Sequence, residues 1–327
     1  MVGMTAVLDP EAALEGSRSG VIAVERADLA ALELRGADVL RYLHTVSSQH
    51  TADLGPGDAT SALLLSPKGK IEFAFRLAVV EGGALLDTEA AAVRALAERL
   101  ERFVFRYDVT VRQVAGGADV SAGAVSLLGP GAGAALEAAG LPGPPAAPDR
   151  ATVAAGLVVH RMAAGVDLVG TSAAGVLEAF GRVGVPRAPL EVWELARIER
   201  GLPRWGLELT DDVLAEEAGL LGSHVHLDKG CYPGQETVAR VHNLGQVQRR
   251  LAGLRFGHGE LPPSRTDLRT GDGRRAGQVR SVVRHPDLGP IGLAYVRQVV
   301  PAGAHVLAGE SEAIVAELPF YPDRANR

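Results

Sequence analysis

The sequence predicts an α+β protein, with two mixed units of strands and helices followed by a small all-β domain. Three observations carry that expectation. Strict apolar alternation at Ile71, Phe73, Phe75, Leu77 and Val79 marks a strand buried on one face, and the helical spacing of Val93, Leu96, Leu100, Phe103 and Val104 marks a helix soon after it. From residue 249 the pattern changes to short β-like runs broken by Pro and Gly turns, at 249–256, 275–283, 291–296, 304–308 and 313–317. The charge changes at the same place. Residues 1–239 hold 20 Lys and Arg against 31 Asp and Glu, whereas 240–327 hold 13 against 8, so an acidic body of −11 precedes a basic one of +5.

The elements follow in order. Residues 31–35 read as a strand, and Gly36-Ala37-Asp38 lead into a short helix with Val39, Leu40, Leu43 and Val46 on one face. A hairpin is expected from Ala59 to Val80, turning at Ser66-Pro67-Lys68-Gly69. Glu81-Gly82-Gly83 turns into a strand ending near Asp87, Thr88 is placed to cap the helix that follows, and Tyr107–Val114 returns as a strand. A strand at 124–128 precedes a Gly-, Ala- and Pro-rich stretch with a helix at 132–139. Gly131-Ala132-Gly133 there lacks the third glycine and the acidic strand end of a dinucleotide fingerprint, so it reads as a turn. Strands at 157–162 and 166–170 and a helix at 173–183 complete the second mixed unit. Pro189 starts the next helix and Gly201 stops it. Within that helix Glu199 stands in the last turn, where a carboxylate opposes the helix dipole at a cost of ~0.3 to 1 kcal/mol unless a neighbour compensates.

At 327 residues, two or three cores are expected, and 47% hydrophobic residues against 22% charged is a globular balance. No apolar run reaches the roughly 18 to 20 residues of a membrane helix, and Asp9, Glu11 and Glu15 replace the basic start of an export signal, so a cytoplasmic location is expected. A lone Cys231 cannot form an internal disulfide or by itself ligate a cluster or structural zinc. The arginines of the basic segment are dispersed without interleaved aromatics, which disfavours sequence-reading of nucleic acid.

Lysine is almost absent: Lys68, Lys70 and Lys229 stand against thirty arginines, and all three fall in two glycine-containing segments. Either the placement is chance or a compact ammonium is needed there, since Lys and Arg differ in shape and hydration. Cys231, two residues after Lys229 and among glycines, reads either as a reactive thiol or as a small buried hydrophobe. His224 and His226 with Asp228 would share a strand face, but no third ligand has a telling spacing.

Lys229-Gly230-Cys231-Tyr232-Pro233-Gly234-Gln235-Glu236 resembles the K-G-C-x-x-G-Q-E signature of YgfZ-like proteins, relatives of the glycine-cleavage T-protein that include mitochondrial iron–sulfur assembly factors. Arg197–Leu209 and Ser66–Lys70 are similar to segments those families share, so the likeness runs from about residue 20 onward. The resemblance implies a GcvT/YgfZ-like three-domain ring of two ferredoxin-like α+β units and a C-terminal β-barrel. Its expected domains are 20–50 with 120–240, then 51–119, then 245–327. It implies tetrahydrofolate or a one-carbon derivative as ligand, with Glu199 gripping the pterin and Arg197, Lys68 and Gln235 also at the cofactor. It further implies Cys231 as a reactive thiol beside Lys229, with iron–sulfur enzymes or assembly proteins as partners. T-proteins carry a catalytic aspartate where this chain reads Phe73-Ala74, and Glu72 would point to the opposite face. Aminomethyl transfer is therefore not expected. The alternatives are a folate-dependent aminomethyltransferase and a tRNA-modification accessory protein.

Overall fold

The computed structural model describes residues 7–115, 123–154, 156–170, 172–245, 247–257 and 259–321. They form two compact units. The first gathers the chain up to Leu64, Phe73–Trp193 and Ser223–Pro233; the second gathers Leu65–Glu72, Glu194–Gly222 and the chain from Gly234 onward.

In the first unit Asp9 accepts the Ala12 N–H and Pro10 opens α1 (Pro10–Ser19). Then come β1 (Ile22–Glu25), β2 (Leu29–Arg35), α2 (Val39–Val46), β3 (Ala59–Leu65), β4 (Ile71–Val80), β5 (Gly83–Glu89), α3 (Val93–Glu101), β6 (Thr110–Ala115), β7 (Gly123–Leu128), α4 (Ala132–Ala138), β8 (Ala151–Ala154), β9 (Leu157–Met162), β10 (Gly165–Gly170), α5 (Ala173–Arg182) and β11 (Arg187–Ala188). One sheet runs β3-β4-β5-β2-β6 and the other β11-β1-β7-β10-β9-β8. Leu127, Val159, Leu168, Leu177 and Phe180 form the core under α4 and α5. Where the two sheets face each other the buried residues are small: Ala59, Ala78 and Ala151 around Val158, and Ala31 and Ala124 beside Leu29 and Val169. Small side chains let the sheets approach and leave space for a polar cluster.

That cluster is centred on Arg76, whose Nε donates to Asp87 at 2.7 Å while Nη1 donates to Asp167 at 2.7 Å. Ser126 donates to Asp167 and accepts from Arg26, which also grips Asp28 and lies 3.5 Å over the Trp193 ring. His160 Nε2 stands 3.1 Å from Asp87. Burial would push the Asp87 carboxyl up, but the charges of Arg76 and His160 outweigh it and hold the group at about 2. A carboxyl lowered on folding stabilises the fold above its unfolded pKa, and that contribution disappears as pH falls through the folded value. About 2 kcal/mol should therefore be lost between pH 4 and pH 2. Urea melts of the wild type and Asp87→Asn over this range should converge by that amount; a constant difference would refute the linkage.

In the second unit, α6 (Leu190–Arg200), whose residues from Glu194 belong here, ends at Gly201 with φ +72°, where a Cβ would strike Leu318. After α7 (Leu221–His224), whose Ser223 and His224 belong to the first unit, and α8 (Gln235–Leu244) come β12 (Arg249–Phe256), β13 (Asp267–Thr270), β14 (Arg275–His285), β15 (Gly289–Arg297), β16 (His305–Ala308) and β17 (Ser311–Ala316). These six strands close a barrel in the order β12-β15-β14-β13-β16-β17, filled by Leu254, Leu268, Val279, Val296 and Val306. Ile198 of α6 packs on Ile291, Leu293 and Phe320. No helix among the described residues is long and apolar enough to cross a membrane.

Several elements differ from the sequence expectation. Thr88 does not cap α3: it lies inside β5, donating to the Ala74 carbonyl, and Ala92 precedes the helix without a side-chain cap. The helix is shorter than its apolar stripe, so Phe103 is exposed and Val104 opens a 3-10 turn. His224 ends α7, so His224 and His226 do not share a strand face. β2 pairs with β5 and β6 and joins the sheet built from 59–115, because alternation along one strand does not name its partner. The expected boundary at 119–120 lies outside the described residues.

Candidate functional site

Two motifs singled out by their lysines meet through glycine. The β3–β4 turn closes with Ser66 N–H donating to Lys70 O and Gly69 N–H donating to Ser66 O, each at 2.8 Å. Gly69 has φ +74°, and a Cβ on it would press into Thr237 at 2.8 Å. Gly234, with φ +84° before Gln235 opens α8, has Ser66 O only 2.6 Å from where a Cβ would stand. Both positions therefore require glycine for conformation and for close approach. Lys70 donates to Asp212 O at 2.9 Å, whereas Lys68 is exposed at the turn.

Arg197 and Glu199 are two residues apart on α6, which places them roughly 200° apart around the helix, and they find different partners. Arg197 is 1% exposed. Its Nε donates to Glu194, Nη1 to Leu202 O and Glu208, and Nη2 to Ser281 Oγ, at 2.7 to 3.2 Å. Ser281 in turn donates to the second oxygen of Glu208, which is wholly buried and also accepts the Arg204 N–H. Four guanidinium donors are thus committed to protein acceptors, tying α6 and the turn after it to β14.

Glu199 is 6% exposed and has its own partner in His285, whose Nε2 lies 2.9 Å from Glu199 Oε2. His285 Nδ1 accepts backbone N–H groups from Asp287 and Leu288, each at 3.2 Å. Since Nδ1 must offer its lone pair to them, the ring proton sits on Nε2 and is donated to Glu199. The other carboxylate oxygen retains acceptor capacity. His285 escapes sequence inspection because it lies 86 residues from Glu199, in a His285-Pro286-Asp287 turn with no motif of its own.

In the first unit, the Lys229 ammonium is 5% exposed and donates to three carbonyl oxygens, those of His44, Ser47 (2.7 Å) and Gln49 (3.0 Å). It also lies 4.9 Å over the Tyr232 ring. Burial pushes the group down to about 8. The lysine thus caps the C-terminal end of α2 from far along the chain, supplying positive charge where the helix dipole is negative. Cys231, two residues on, is exposed. The rings of His44, His50 and His226 follow one another, T-shaped at 4.6 Å between centroids and then tilted at 5.3 Å, and His50 pairs with Asp53 at 2.9 Å. Burial foremost, then the Lys229 ammonium and His50, hold His44 below the ordinary histidine range. Among the described residues no group of three or more His, Cys, Asp or Glu side chains could hold a metal ion.

Phe73 is buried on the same β4 face as Ile71 and Phe75, and Ala74 lies on the other face with Glu72. Strand period alone puts Glu72 on the opposite side from residue 73.

Two sheets, one of them mixed through the parallel β1–β11 pair, and a closed six-stranded barrel make up the fold. The solved glycine cleavage system aminomethyltransferase T from Bartonella henselae matches with a TM-score of 0.83 over 95% of this chain and 89% of its own, at 21% identity. No family model matches the chain. A chloroplastic protein of Arabidopsis thaliana, provisionally named a transferase, is 25% identical over 96% of this chain and 75% of its own length. The mitochondrial iron–sulfur cluster assembly factor IBA57 of Mus musculus is 31% identical over 39% of this chain and 36% of its own. The tRNA-modifying protein YgfZ of Edwardsiella ictaluri is 33% identical over 40% of this chain and 42% of its own. The chain thus has the fold of an aminomethyltransferase and is similar, over about two fifths of its length, to IBA57 and YgfZ proteins.

Proposed function

We propose that this protein binds a reduced folate, tetrahydrofolate or a one-carbon derivative, through Glu199, and supports assembly or repair of iron–sulfur enzymes in the cytoplasm with Cys231 as its working thiol. The observation that carries the ligand half is a buried carboxylate with one oxygen fixed by His285 and acceptor capacity left over. Such a group fits the parallel N–H donors of an aminopyrimidine ring. Folate would supply a one-carbon carrier; Glu199 would hold its pterin, while Gln235 and Lys68 stand on the α8 start and the hairpin that meet at Gly69 and Gly234. Arg197 serves this reading as a positioning residue, because its donors are committed to Glu194, Glu208, Leu202 and Ser281. The thiol half is supported by the exposure of Cys231 and by the name of the mouse relative. Phe73 and Ala74 speak against aminomethyl transfer, since losing a positioned acid or base removes ~10²- to 10⁴-fold of rate.

Titration with tetrahydrofolate by calorimetry tests this. Glu199→Gln should weaken binding roughly 10²-fold, the loss of charge-assisted acceptance, and Cys231→Ala should leave it unchanged while lowering iron–sulfur enzyme activity in cells. Absence of binding to the wild type would sink the folate reading. The match to a transferase-named protein favours one competing reading, a folate-dependent transferase; turnover with an aminomethyl-loaded carrier, abolished by Glu72→Gln, would establish it.

A further inference from the structure

We propose that His285 is the positioning residue of this site, presenting Glu199 as an oriented acceptor by donating from Nε2 while two backbone amides lock its tautomer. The proposal rests on the reading of Glu199 as the ligand carboxylate. Three features carry it. First, the His285 side chain is fully buried and its Nε2 lies 2.9 Å from Glu199 Oε2. Second, the N–H groups of Asp287 and Leu288 both converge on Nδ1 at 3.2 Å. That arrangement is incompatible with a proton on Nδ1, so the ring is a one-way donor toward the carboxylate. Third, Glu199 sits at the dipole-disfavoured end of α6, where the helix by itself opposes a negative charge. A histidine donor aimed at one oxygen offsets that opposition and fixes the side-chain torsions. The carboxylate then presents its remaining lone pairs in one direction.

The chemistry limits the ligand class. With one Oε2 lone pair taken by His285, the free acceptors of Glu199 match a flat ring with adjacent N–H and amino donors and do not match a second carboxylate or a phosphate. A 2-amino-4-oxo pyrimidine edge has that donor pattern. The Tyr321 ring lies 6.4 Å from that of His285 in a T-shaped arrangement.

Two measurements on the full chain decide it. Two-bond proton–nitrogen correlation spectra of histidine-labelled protein should show the neutral His285 ring as the Nε2–H tautomer, with the Nε2–H resonance displaced in Glu199→Ala. Tetrahydrofolate titration should show His285→Asn about 10-fold weaker than wild type, from loss of a hydrogen bond to a charged acceptor. His285→Gln, whose amide nitrogen can take the place of Nε2, should bind within about threefold of wild type. A proton on Nδ1, or an Nε2–H resonance indifferent to Glu199→Ala, would overturn the proposal. So would an Asn variant that binds like wild type while Glu199→Gln does not. If the wild type binds no reduced folate, the folate reading falls alone, because the two spectroscopic outcomes still decide the hold of His285 on Glu199.

Discussion

Replacing Arg197 with methionine is expected to destabilise the second unit by about 3 to 5 kcal/mol, the usual cost of removing one partner from a buried ion pair. The cost falls on Glu208. That carboxylate is wholly buried; without Arg197 it keeps the Ser281 hydroxyl and the Arg204 N–H but loses the guanidinium at 3.1 Å. The attraction between the charges matters less than the desolvation that would be left uncompensated. Arg197→Met combined with Glu208→Gln should therefore recover part of the loss, since removing both charges removes the stranded one. Urea unfolding followed by Trp205 fluorescence in a Trp193→Phe background reports on the second unit, to which Trp205 belongs through its donation to Glu72 O. A single-variant effect below about 1 kcal/mol would show that the network holds nothing.

Replacing Lys229 with methionine is expected to cost about 2 to 3 kcal/mol in the first unit, through the loss of charge-assisted hydrogen bonds to three carbonyls that then have no donor. Lys229→Arg should not restore the stability. The carbonyls of His44, Ser47 and Gln49 converge on one point, which suits three tetrahedral N–H bonds and not a planar fork. Amide hydrogen exchange gives a local readout: the Ser48 N–H, which donates to Leu63 O, and the His226 N–H, which donates to Ser48 O, should lose protection in both variants. An arginine variant as stable and as protected as wild type would refute the geometric argument. The same geometry explains why a chain with thirty arginines keeps a lysine here.

The motif from Lys229 to Glu236 thus contains residues of different kinds. Lys229 is bound to the end of α2, Cys231 is exposed, and Gly234 admits the β3–β4 turn before Gln235 begins α8. Spacing alone suggested a lysine beside a thiol; the carbonyl cage shows where the ammonium is held.

Elements whose signal lies within a few residues were legible in sequence. The β4 alternation, the Pro189 to Gly201 limits of α6, the hairpin turn at Ser66–Gly69 and five of the barrel strands all correspond to described elements. β13 was not legible, because in Asp267-Leu268-Arg269-Thr270 only Leu268 is fully buried and the strand exists through its pairing with β14 and β16. The N-terminal α1 and β1 were likewise missed. Misplacing Thr88 has the same origin: a threonine before an apolar stripe is a cap signal, but continued pairing of β5 with β2 carried the strand through it.

By itself the sequence determined the α+β class, the terminal β-domain, the single thiol, the scarcity of lysine and the alternation that puts Phe73 on one face of its strand and Glu72 and Ala74 on the other. Those properties depend on residue identity and on periods of two or about 3.6, which neighbouring residues express directly. Only the tertiary structure decided that Arg197 is committed to Glu208 and Ser281, that Lys229 caps α2, and that His285 holds Glu199. Each of these joins groups between 11 and 182 residues apart. Hydrogen bonds act over about 3 Å, so no local pattern along the chain can announce which distant donor will arrive at which acceptor.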